Sequence, residues 1–174
     1  YRRPLSDLGF RLPDATPWHL HWWLTGIFIV LFLSDSFLSL REARSNPELQ
    51  KEQQQQTPFM PTQVRDLPAY FLMCLAAGIG EEIVYRGFLV TFFFYLFNGS
   101  WAQSTLAILV PAAIFSIAHF YQGVHTVFKI LVLSTLFGMI FLNTHSLLTV
   151  VLLHTGVDLV SGILSIYLSS KQNV

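Results

Sequence analysis

Gly78-Ile79-Gly80-Glu81-Glu82-Ile83-Val84-Tyr85-Arg86-Gly87 is the stretch whose reading decides the fold. It lies inside residues 69–97, which are apolar or aromatic apart from a few small residues and the three charges Glu81, Glu82 and Arg86. A run of that length and character is a membrane-spanning helix. Within it each charge opposes insertion by roughly 2.5–3.5 kcal/mol, so the three together cost about 8–10 kcal/mol, as much as the whole stability of a domain. Charges at that cost need partners or a chemical role.

Helix geometry separates the two carboxylates. At about 100° per residue, Glu82 and Arg86 share a face and can pair, whereas Glu81 points roughly 100° away from Glu82 and about 140° from Arg86. Glu81 is therefore the freer acid. The alternative is that all three form one structural ion cluster.

Composition agrees with a membrane protein. Of 174 residues, 53% are hydrophobic and 11% charged, with 16 Phe and a mean hydropathy of +0.53, against about 25% charged in a soluble domain. A net charge of zero offers no basic footprint, so no nucleic-acid partner is expected. The single Cys74 excludes an internal disulfide and a CxxC metal site.

In chain order, residues 1–17 are polar, begin without Met, and read as a linker from a longer chain, with no signal peptide. Residues 18–40 form a first span opened by the aromatic belt Trp18, Trp22 and Trp23, with His19 and His21 as its interfacial partners and Asp35 reaching water near the far end. Residues 41–67, with mixed charges and Gln53 to Gln56 in a row, read as a flexible polar loop. Residues 68–170 make the core: the charged helix, a turn at Asn98-Gly99-Ser100, a third run over 103–121 kinked or broken near Pro111, a fourth over 127–144, and a fifth over 146–169. The expectation is an all-α, polytopic transmembrane helical bundle of about five spans. It is an integral, multi-pass protein of the cell inner or plasma membrane, in contact with membrane lipids. With five spans, Arg41, Arg44, Lys51, Arg65, Lys129 and Lys171 collect on one side, which is then cytoplasmic.

The other polar residues within the spans are few. His119 closes Phe115-Ser116-Ile117-Ala118-His119, and His154 and Asp158, four apart in His154-Thr155-Gly156-Val157-Asp158, share a helix face on which the Asp can fix the imidazole tautomer. A lone buried His is commonly a satisfied core residue; three such sites in one small bundle point to chemistry. Two routes to hydrolysis are open. Glu81 can act as general base with His119 positioning the water, while His154 and Asp158 stabilise the oxyanion. Alternatively Glu81, His119 and His154, with Asp158, can hold a divalent cation such as zinc whose bound water attacks. Neither a Gly-x-Ser-x-Gly elbow nor an HExxH motif is present.

These residues resemble a known family. EEIVYR, with Glu81, Glu82 and Arg86, is similar to the EExxxR motif of the CPBP family of CAAX proteases and bacteriocin-processing enzymes, also called Abi. FSIAH, with Phe115 and His119, resembles its FxxxH motif, and HTGVD, with His154 and Asp158, its HxxxN/D motif, all three in family order over residues 66–169. The resemblance implies an intramembrane endopeptidase acting on a peptide or protein substrate, lipidated in the eukaryotic relatives, which remove the last three residues of prenylated CAAX proteins. Glu81 and His119 are implied as the water-activating pair, His154 and Asp158 as stabilising the transition state, and Glu82 with Arg86 as holding the helix. Family members are described both as metalloproteases and as metal-free glutamate proteases, and Asp158 stands where eukaryotic members carry Asn. A non-proteolytic immunity or partner-binding membrane protein with the same core is the alternative.

Overall fold

A computed structural model of the chain describes residues 20–172 together with Gly9 and Leu12, and all regular structure among the described residues is helical. The linker expected over residues 1–17 lies outside the described residues, apart from Gly9 and Leu12. The order is α1 (Leu20–Ser45), α2 (Pro47–Gln56), a 3₁₀ turn, α3 (Leu67–Glu82), a π-helical segment (Ile83–Val90), α4 (Thr91–Leu96), α5 (Gln103–Ala118), a second 3₁₀ turn, α6 (Val124–Thr144) and α7 (Leu147–Gln172). α3, the π segment and α4 run on as one rod. That rod, α1, α6 and α7 are long and apolar enough to cross a membrane, and α5 is a shorter apolar helix. At about 1.5 Å per residue α5 covers only part of a hydrocarbon core of roughly 30 Å. The protein is thus an integral, multi-pass helical bundle, and large apolar side chains such as Trp23, Val30, Phe88 and Leu152 face outward, as a lipid-facing surface requires.

Three expectations are corrected. The first span runs on to Ser45, and part of the stretch read as a flexible loop is the helix α2. Its start signal is local: Asn46 Oδ1 accepts from the backbone N–H groups of Glu48 at 3.2 Å and Leu49 at 3.4 Å, with Pro47 in the first helical position. The glutamine run that looked like low complexity is a sequence of good helix formers once capped. Tertiary contact completes it, since Gln50 is buried and Gln54 Nε2 donates to Ser169 Oγ at 3.1 Å. Near Pro111 no break occurs; α5 continues through it.

Small residues set how close the helices come. A Cβ on Gly78 would collide with Thr155 Oγ1, and one on Gly162 with the ring of Tyr70, so Gly78 lets the backbones of α3 and α7 come close and Gly162 makes room for the Tyr70 ring between them. Tyr70 uses the room to donate from its hydroxyl to the Asp158 carbonyl at 3.0 Å. The apolar core, with Phe28, Val90, Phe137, Ile140, Leu147 and Val150, fills one end of the bundle. Toward the other end, where α1, α2 and the C-terminus of α7 meet through Arg44 with Tyr167 and Gln54 with Ser169, the helices splay around a cavity of about 430 Å³.

Candidate active site

The cavity wall carries Glu81 from α3, His119 from the end of α5, and His154 and Asp158 from α7. Four residues scattered between positions 81 and 158 of the sequence therefore face one space. The two adjacent glutamates are treated differently. Glu81 keeps 35% of its side chain exposed, whereas the Glu82 side chain is 0% exposed.

Glu82 is the buried hub. Its Oε1 accepts from Arg86 Nη1 at 2.7 Å and lies 2.7 Å from His154 Nδ1. The first contact is the i, i+4 pair that helix geometry predicts. The second was not foreseen, because 72 residues separate the partners. Arg86 continues outward: its Nη2 donates to Ser134 Oγ at 2.8 Å and to the Ser134 carbonyl at 3.3 Å, and its guanidinium carbon lies 5.1 Å from the ring centres of both Phe115 and Phe137. The charge is satisfied by one carboxylate, one serine and two aromatic faces, which pin this helix to α5 and α6, while His154 on the same carboxylate ties it to α7. Ser134 carried a faint signal as a small polar residue in an apolar span; nothing local pointed to the aromatic pair.

The two imidazoles are held from behind. A carboxylate or carbonyl only accepts, so His154 Nδ1 carries the proton it shares with Glu82, and His119 Nδ1 carries the one it donates to the Phe115 carbonyl at 2.8 Å. In each ring Nε2 is the nitrogen left for chemistry. For His154 that atom lies 3.6 Å from Glu81 Oε2 and 3.6 Å from Asp158 Oδ2, beyond direct hydrogen bonding, so it is not tied to either carboxylate. The tautomer role that helix spacing suggested for Asp158 belongs to Glu82. Phe115 packs against both rings, tilted on His119 with centroids 4.5 Å apart and edge-on to His154 at 6.1 Å, so the Phe of the FSIAH stretch touches both imidazoles.

Ile83 to Val90, beginning directly after Glu82, are wound as a π-helix. The wider turn departs from the regular 100° rotation expected of this stretch, and such segments concentrate at functional sites. Among the described residues no group of three or more His, Cys, Asp or Glu side chains is placed to hold a metal ion.

A family described as type II CAAX prenyl endopeptidase, Rce1-like, matches residues 63–160, a span that begins before α3 and includes all four cavity residues. No curated protein and no solved structure matches the chain.

Proposed function

Because the chain belongs to the Rce1-like family of type II CAAX prenyl endopeptidases, we propose that it cleaves a peptide bond near the C-terminus of a membrane-associated peptide or protein by glutamate-activated water. Family membership carries the coarse statement, a CAAX-type intramembrane protease with a peptide or protein substrate. The finer reading rests on one observation: of two neighbouring glutamates, Glu81 faces the cavity half-exposed while Glu82 is buried and occupied by Arg86 and His154.

In this reading Glu81 takes a proton from a water oriented by His119 Nε2, and the oxygen attacks the scissile carbonyl. His154, when Nε2 is protonated, donates to the oxyanion that forms, while the nearby Asp158 carboxylate favours that cationic ring by its charge and Glu82 anchors the ring from behind. Glu81 then passes its proton to the leaving amine. The test is cleavage by purified protein of a peptide ending in a CAAX sequence, with and without a prenyl group on its Cys, with mass spectrometry of the product locating the cut. Activity is expected to persist after chelation; its loss on chelation and return with zinc would overturn the glutamate route.

The cavity end of the bundle collects Arg44, Lys51, Arg65 and Lys171, at the helix ends opposite the Ser100 turn, so by the positive-inside rule the site opens to the cytoplasm. In a Cys74→Ser background, a cysteine at Gln55 should be labelled from the cytoplasmic side and one at Ser100 from the other; the reverse pattern would invert the orientation.

A further inference from the structure

We propose that Lys129 binds the C-terminal α-carboxylate of the substrate and thereby sets how far from the chain end the cut falls, an inference that rests on the peptidase reading. Among the described residues lining the cavity, Lys129 is the one Lys or Arg, facing a wall whose other charged members include Asp35, Glu81 and Asp158. Its ammonium lies 2.7 Å from Asp35 Oδ1 and donates to Ser39 Oγ at 3.2 Å, with 44% of the side chain exposed. An ammonium has three N–H donors, so these contacts leave one for a ligand. The nearby wall is apolar, with Met60, Met73, Ile130, Leu133 and Val157. It suits apolar side chains, and the anion that an apolar peptide tail brings is its own terminal carboxylate.

The spacing is right for such a tail. Lys129, Leu133 and Phe137 all line the cavity at i, i+4 and i+8 along α6, and the Phe137 ring is 5.9 Å from that of His154. Eight helical residues rise about 12 Å. An extended peptide advances about 3.3–3.6 Å per residue, so a tail of about three residues matches the rise along α6 between Phe137, beside His154, and Lys129. Asp35 occupies the lysine in the absence of substrate and shares it or yields it on binding; two half-exposed partners exchange readily.

The test uses one peptide made with a free C-terminal carboxylate or a carboxamide. In the parent, kcat/KM should favour the acid on the order of tenfold, carried in KM, as expected of one charge-assisted contact. Lys129→Met should bring the ratio to about one, while Lys129→Arg and Asp35→Asn keep the preference. A ratio unchanged in Lys129→Met, including an equal loss on both peptides, would show that the lysine only ties α6 to α1 and would overturn the proposal. Binding of the labelled peptide pair to Glu81→Gln protein separates this from the peptidase reading. If the parent cleaves neither peptide that reading fails, yet acid-over-amide binding abolished by adding Lys129→Met still supports the lysine, and its absence refutes it.

Discussion

Glu81→Gln should lower peptidase activity by about 10²–10⁴-fold, the range typical of losing a general base, while the protein inserts and melts as the parent does. The substitution keeps the side chain's size and removes only the charge and the basic oxygen. No direct hydrogen bond is lost, because the nearest ring nitrogen, His154 Nε2, is 3.6 Å away, and the half-exposed side chain contributes little to packing. Activity assayed alongside a melting curve checks both halves. A Glu81→Gln protein that still cleaves would show that the base lies elsewhere, with Asp158 the next candidate on the same wall.

Glu82→Gln is expected to fail differently, by losing stability. The neutral amide leaves Arg86 buried without its carboxylate and deprives His154 Nδ1 of its charged acceptor. Breaking one partner of a buried ion pair costs about 3–5 kcal/mol. Ser134 and the two aromatic faces retain part of the guanidinium's stabilisation, which favours the lower end of that range. Combining Glu82→Gln with Arg86→Met removes the stranded cation, so the double variant should melt above the Glu82→Gln single, and the cycle should register a coupling well beyond independent effects. Stability returns in the double variant, but full activity does not, because His154 still lacks the carboxylate that fixes its ring. A Glu82→Gln protein that is inactive yet as stable as the parent would show that the two glutamates exchange roles.

The membrane-spanning helices, the pairing of Glu82 with Arg86 and the separate direction of Glu81 were legible because they depend on distances of a few residues along the chain, where hydropathy and the 3.6-residue period act. The same local logic placed His154 and Asp158 on one face. It misread α2, where the Asn46-Pro47 start signal outweighs the polar composition of the helix it opens. Of the kink or break read at Pro111, the break does not occur, because the helix is continuous there.

What only the tertiary structure decided is which of these faces meet. Glu82 reaches His154 because Gly78 and Gly162 allow α3 and α7 to close together, a matter of interhelical distance that no local periodicity encodes. The aromatic pair around Arg86, the Asp35–Lys129 pair across α1 and α6, and the π turn after Glu82 likewise arise between elements or under their packing. By itself the sequence determined that three charges had to be accommodated inside an apolar helix. The packing of the other helices decided that two of them would be buried together as a brace and the third left facing the cavity, because in low dielectric a charge is held either by a close partner or by access to water.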